Sequence, residues 1–443
     1  MDYFDYILKN GNAFVENSMQ SEIDIGIKKN KISHIGNINQ NKGKNVYDMS
    51  NLTILPGCID SQVHFREPGL THKEDINSGT RGAILGGITT IFEMPNTNPS
   101  TSTVEALDQK LKIAEENSFC NYSFYIGAVR ENIGELKYLE KSKGCSGIKI
   151  FMGSSTGSLL IEDDDSLEKI LASGTRRVAI HSEDEYRLRK RKTIVNDSNV
   201  DVKYHPIWRD AISAIESTKR LIEISKKVSR KIHILHISTK EEIDLIKKNK
   251  KLVTCEATPQ HLYFHSPDCY QKLGTLAQMN PPIRSKDHQE GIWYGVKNKI
   301  IDVIGSDHAP HTLAEKKKKY PNSPSGMTGV QTLVPIMLNF VNQNKIGIHD
   351  FVRLTSSNPC KIFNIIGKGK IEVGNDADFT IVDLKKKRRI ENNWIASKSG
   401  WTPYDGETVI GWPVHTIVNG EIVMSEDQIL GKPRGQKVKF RIE

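Results

Sequence analysis

The chain has 443 residues, 37% of them hydrophobic and 26% charged, with a net charge of +9. This composition supports a core of ordinary size, and no apolar run reaches the ~18 residues of a membrane span. The positive charge is spread widely, and its dense runs (Lys316–Lys319 and Lys385–Arg389) lack interleaved aromatics, which argues against a nucleic-acid module and leaves a field suited to drawing in an anionic substrate.

The opening stretch, MDYFDYILKNG, carries two early aspartates and no apolar segment, so it is not read as a secretory signal. Residues 1–55 read as short strands: DYILKNGNAFV, SEIDIGIKKNKISHIG and the run into NLTILPG alternate apolar and polar positions around Gly and Asn turns. Residues 56–366 have a different character. Apolar strands such as GITTIFEM, NYSFYIGAV, SGIKIFM, RVAIHSE, KIHILHIS and IDVIGSD alternate with helix-period stretches such as TVEALDQKLKIAEEN and AISAIESTKRLIEISKKV. Repeated strand–helix alternation predicts an α/β fold with a parallel sheet, here a (β/α)₈ barrel. Residues 367–443 return to strands, GKIEVGNDADFTIVDL and TVIGWPVHTIVNGEIVM. The two ends are expected to pair in one small β-sandwich beside the barrel. Six scattered cysteines with no C-x-x-C fit free thiols in a reducing, cytoplasmic setting.

In such a barrel the polar residues at the C-terminal ends of the strands point into the mouth. The strand ends here carry Asp60, Gln62, His64 and Arg66; then Lys149; His181; His236; and finally Asp307, His308 and His311. One such histidine is usually a hydrogen-bonded core residue. Three histidines, an aspartate and a lysine on separate apolar strands point instead to a metal site. Imidazole nitrogens and carboxylate oxygens suit a divalent ion such as zinc.

The stretch PGCIDSQVHFREPGLTHKEDINSGTRGAILGGITTIFEMPNTNP resembles the opening of the dihydroorotases of the amidohydrolase superfamily. GIKIFM, HSEDE, ILHIST, MNPPIR and SDHAPHTLAEKKKKYPNSPSGMTGVQTLVP extend the likeness over the whole barrel, and GNDADFTIVDL with VNGEIV extends it to the flanking domain. Hydantoinases and dihydropyrimidinases share the lysine, histidine and aspartate positions but lack FREPG and MPNT. Allantoinases differ at MPNT.

The resemblance implies hydrolysis of a cyclic amide, dihydroorotate, to N-carbamoyl-aspartate in pyrimidine synthesis. It implies one or two zinc ions held by His64, Lys149, His181, His236 and Asp307, with Lys149 carboxylated on its amine. An ammonium cannot ligate a cation, and burial between Ile148 and Ile150 is expected to lower its pKa so that the neutral amine can add carbon dioxide. Some dihydroorotases bridge their metals with a nearby aspartate; Gly153, Ser154 and Ser155 offer none here. Asp307 would carry the proton from water to the leaving nitrogen. Arg66, Asn96 and His311 would clasp the substrate carboxylate, Asn280 would border the ring, and Ser325 and Gly326 would lie in a substrate loop.

Two positions depart from the family pattern. Gln62 stands where the first histidine of His-x-His is expected, and its amide oxygen is a weaker zinc ligand than imidazole. Gln331 stands where a glutamate is common. Gln62 motivates an alternative, a non-catalytic homologue acting as partner of aspartate transcarbamoylase. A hydantoinase- or allantoinase-type amidohydrolase is a further alternative, which Arg66 disfavours because a neutral substrate gives it no partner. A homo-oligomer is expected.

Overall fold

The computed structural model describes residues 3–153, 159–196 and 200–442. Ser154 and Ser155 lie outside the described residues. Eight parallel strands form one sheet: β6 (Cys58–Val63), β7 (Ile88–Glu93), β8 (Asn121–Gly127), β9 (Cys145–Phe151), β10 (Val178–His181), β11 (Ile232–Ile234), β12 (Val253–Ala257) and β13 (Val303–Ile304). Each pairs with its sequence neighbour. The sheet nearly closes on itself through a parallel bridge between Val63 and His308, where the His64 N–H donates to the His308 carbonyl at 2.7 Å. Every residue of these strands is buried, as expected for strands covered on both faces.

The connecting helices start at side-chain caps. Thr103 caps Val104–Asn117, Asp210 caps Ala211–Lys227, and Thr239 with Glu242 forms a capping box on Lys240–Lys247. Phe92, Tyr125, Ala179 and Leu235 pack inside the barrel with Phe363 and Val438. Phe363, from the helix Asn358–Phe363, meets Phe92 edge-on at 5.3 Å and His233 at 5.4 Å. The interior is therefore a packed core, and the open polar end is the one where the strands finish.

The chain ends do pair. The first strands, β1 (Phe4–Val15), β2 (Ser18–Lys28), β3 (Lys31–Ile35), β4 (Gly43–Asp48) and β5 (Thr53–Pro56), join β14 (Phe379–Arg389), β15 (Thr408–Val418), β16 (Glu421–Ser425) and β17 (Gln428–Ile429) in a nine-stranded sheet. The seam is antiparallel, with Phe379 opposite Pro56 and Ile381 opposite Ile54. This sheet has its own core, including Leu8, Ile25, Ile54, Phe379 and Ile417. Register shifts between Leu8 and Ala13 mark bulges, which bend a strand and increase its twist. The last residues leave the sheet for the barrel: Lys437 bridges Tyr122, and Phe440 packs against Phe92 at 5.7 Å.

Candidate active site

His64, Lys149, His181, His236 and Asp307 all fall at or just beyond the C-terminal ends of barrel strands, and all are buried. Asp307 Oδ1 lies 2.9 Å from Gln62 Nε2 and 3.2 Å from His64 Nε2. His181 Nδ1 lies 3.1 Å from His236 Nε2, with the rings edge-on at 4.7 Å. Among the described residues, no three His, Cys, Asp or Glu side chains come together closely enough to hold a metal ion. The donors meet instead as two pairs, and Lys149 is coupled electrostatically to Asp307 on one side and to both histidines on the other.

The protons in each pair follow from neighbouring hydrogen bonds. His181 Nε2 donates to Glu183 Oε2 at 2.8 Å. Glu183 is wholly buried against Arg209, and the guanidinium and His181 hold its carboxyl far below the usual range although burial alone would raise it. Burial also lowers the His181 pKa, so the ring is neutral, with its one proton on Nε2 and a bare lone pair on Nδ1 facing His236. Across the site, His64 Nδ1 donates to Asn96 Oδ1 at 2.6 Å, leaving Nε2 bare toward Asp307. His236 Nδ1 and Gln62 Oε1 are buried with no hydrogen-bond partner. Bare nitrogens and a carboxylate oxygen at such distances, with buried polar atoms beside them that have no hydrogen-bond partner, suit a shared cation, so the residues present fit a divalent ion.

Lys149 aligns with Gly127 and Ala179 in the neighbouring strands, and its Nζ donates to the Ile150 carbonyl at 2.8 Å. Burial pulls its pKa far below the usual lysine range, and Asp307 and Glu256 offset this only in part. The expected neutral amine is therefore supported by its surroundings.

Three residues of the mouth have left-handed backbone: Arg66 at φ 65°, His236 at 35° and Asp307 at 46°. Each such conformation costs about 1–3 kcal/mol in a non-glycine residue, and such strain concentrates at functional sites. It turns these side chains off the strand direction and into the mouth.

The expected carboxylate clasp is brought together only in part. Arg66 Nε donates to the Pro310 carbonyl at 3.2 Å, and its Nη2 lies 3.4 Å from His311 Nε2. Lys73 Nζ donates to His311 Nδ1 at 3.1 Å, so the ring's proton is on Nε2, which donates to the Ser325 carbonyl at 3.0 Å. Burial, with Arg66 and Lys73 beside it, keeps His311 neutral by lowering its pKa. Asn96 instead orients His64 through its oxygen, and Asn280 Oδ1 accepts from His205 Nε2 at 3.0 Å. Ser325 and Gly326 are pinned by Gln278, whose Nε2 donates to Ser325 Oγ at 3.1 Å and whose carbonyl accepts from the Gly326 N–H at 2.9 Å. Gln331 takes no part here: it bonds the Trp394 carbonyl and the Ala396 N–H, tying the C-terminal stretch to the barrel.

Sequence reasoning missed Lys73, Arg209 and Gln278. Glu183 stands in the quoted HSEDE motif and was legible as a neighbour of His181. Lys73 and Gln278 lie in THKEDI and just before MNPPIR, but nothing in either motif names the distant partner.

The comparisons fit this geometry. Residues 52–242 match the family model described as dihydro-orotase-like, and residues 179–423 match that of the amidohydrolase family. The chain is 36% identical to the dihydroorotase of Methanosarcina mazei, over 97% of this chain and 96% of that protein. The chain belongs to the dihydroorotase family. It is also 35% identical to the dihydroorotase of Pyrococcus abyssi, over 96% of both chains. Among solved structures, the L-hydantoinase (dihydropyrimidinase) from Arthrobacter aurescens superposes with a TM-score of 0.93 at 27% identity, covering 98% of this chain and 99% of its own. Dihydroorotase-family membership thus comes with an amidohydrolase fold common to enzymes of several cyclic amides, and the barrel mouth described above is where the family's chemistry is to be sought.

Proposed function

We propose that the chain is a dihydroorotase, which adds water to the cyclic amide of dihydroorotate and opens it reversibly to N-carbamoyl-aspartate. The observation that carries this reading is Arg66, a buried guanidinium at the mouth beside the Asp307 loop. Among the described residues it forms no ion pair. A buried cation without a carboxylate is costly, and an anionic substrate supplies one. The reading is supported further by relatives that are 36% identical over nearly the whole chain and are named dihydroorotases. The likeness to hydantoinases is one of fold at lower identity, and a neutral hydantoin would leave Arg66 unpaired. The retained donor set also speaks against a purely structural homologue.

His64, Lys149, His181, His236 and Asp307 would hold one or two divalent ions, zinc being the expected metal. Lys149 would serve as a carbamate, formed when the neutral amine adds carbon dioxide and releases a proton. A divalent ion bound there supplies Lewis acidity toward water and the amide carbonyl. The protein's own groups do the rest. Asp307 takes the proton of the attacking water and returns it to the ring nitrogen as the C–N bond breaks. Arg66 pairs with the substrate carboxylate, the His311 Nε2–H turns from the Ser325 carbonyl to join it, and the free amide nitrogen of Asn96 faces the same anion. Asn280 borders the ring. Glu183 and Arg209 keep His181 in its Nε2–H form.

Arg66→Met is expected to raise the KM for dihydroorotate about 10- to 100-fold, since a hydrogen bond to a charged group contributes roughly 1.5–3 kcal/mol. Steady-state kinetics with dihydroorotate and a neutral hydantoin test it. An unchanged KM removes Arg66 from the substrate site and returns the case to the hydantoinase reading.

Gln62 replaces the imidazole expected beside His64, and its Nε2 already donates to Asp307. One tightly held metal per chain is therefore expected, with a second weak one. Gln62→His should raise the metal content toward two. Metal analysis after mild chelation decides this: two tight metals in the unaltered chain refute the argument, and no metal together with no activity supports the transcarbamoylase-partner alternative.

A further inference from the structure

We propose that the barrel carries a second ligand site, for a small phosphorylated molecule, in the cavity at the end opposite the active site. This cavity of about 370 Å³ lies where the strands begin. Arg176, Arg177, Lys231, Lys250 and Lys361 line it, against one carboxylate, Asp302. They come from the starts of β10, β11 and β12 and from the helix Asn358–Phe363, so the fold gathers cations that are far apart in the chain.

Folding explains part of this cluster but not its charge. Arg176 donates to the main-chain carbonyls of Glu140, Cys145 and Ser146, and Arg177 Nη1 to those of Ile232 and Leu252. Carbonyls satisfy N–H groups without neutralising a guanidinium, and neither arginine forms an ion pair among the described residues. Lys250 is the one cation of the lining with a carboxylate partner there, Asp302. Arg177 Nε is shielded from solvent and has no hydrogen-bond partner. The Lys231 and Lys361 side chains stand exposed at the rim. The positive field is felt nearby: burial, with Arg177 next, drives His233 down to about 3.

A cluster of five cations with one carboxylate among them is stabilised by a polyanion, which meets the exposed Lys231 and Lys361 ammonium groups at the rim and the field of the two arginines behind them. The volume lies near the lower end of the ~300–1,000 Å³ of small-molecule pockets. A phosphate ester or diphosphate fits these terms better than a neutral metabolite, and a carboxylate of single charge would leave most of the cations unmet. The inference does not depend on the dihydroorotase reading, since it uses none of the active-site residues.

The test is calorimetric titration of the intact protein with pyrophosphate and with ATP, in the unaltered chain, in a Lys231→Ala/Lys361→Ala double variant and in Arg66→Met. Both lysines are exposed, so the double variant is expected to fold. Saturable binding of either probe is expected in the unaltered chain, weakened about tenfold or more by the double variant and unchanged by Arg66→Met. Three results would overturn the proposal: no saturable binding of either probe, equal binding by the double variant, or loss of binding in Arg66→Met, which would assign the anion to the substrate clasp.

Discussion

Replacing Asp307 with alanine is expected to lower kcat for dihydroorotate by about 10²–10⁴-fold, the usual contribution of a positioned general acid–base group, with the fold retained. Asp307 sits beyond the two-residue strand β13, in left-handed backbone at φ 46°, and its carboxylate meets Gln62 and His64 across the mouth. None of these contacts belongs to the barrel core, so the loss should fall on chemistry. The strain at Asp307 is a cost that core packing does not require. Asp307→Asn separates the roles further: it keeps the shape and an oxygen but cannot accept the proton, so it should lose nearly as much kcat as alanine. Rate measurements on both variants, with circular dichroism and metal content on the same samples, check this. A variant that keeps more than about a tenth of the rate with its metal in place would remove Asp307 from proton transfer.

Arg209→Met is expected to destabilise the protein by about 3–5 kcal/mol, because removing one partner of a buried ion pair strands the other charge. Glu183 and Arg209 are both buried, and Arg209 Nε and Nη2 both donate to the Glu183 carboxylate. The partner substitution decides the cause. Adding Glu183→Gln to Arg209→Met removes the stranded charge, so the double variant should be more stable than Arg209→Met alone, as coupled sites require. Urea unfolding of the two single variants and the double variant tests it. Strictly additive losses would show that the pair is not coupled and that Arg209 contributes through packing alone.

How much of this was legible beforehand depended on the range of the interaction. Seven of the eight barrel strands, all but β12, could be read because each is a short apolar run whose neighbours in sequence are also its neighbours in the sheet. The ends of those runs placed His64, Lys149, His181, His236 and Asp307 at one mouth, and the apolar company of Lys149 implied its burial. The same logic predicted that both chain ends would pair in a small β-sandwich; they do come together, at the pairing of β14 with β5, but in a single nine-stranded sheet.

Local patterning by itself thus determined the α/β barrel, the polar end of each strand and the residue types gathered there. Pairings between distant residues were decided by tertiary structure alone. Gln62 gives its amide hydrogen to a carboxylate 245 residues away, and Lys73 settles the proton of a histidine 238 residues away. Asn96 and Asn280 accept hydrogen bonds from His64 and His205, partners that their motifs did not name. Arg209 carries no motif at all, and its importance appears only once it is buried beside Glu183. The physical reason is that periodicity reports which face of an element is buried, a property of neighbours in sequence. Which donor meets which acceptor, and so where each proton rests, depends on angles and distances between elements that only the closed barrel defines.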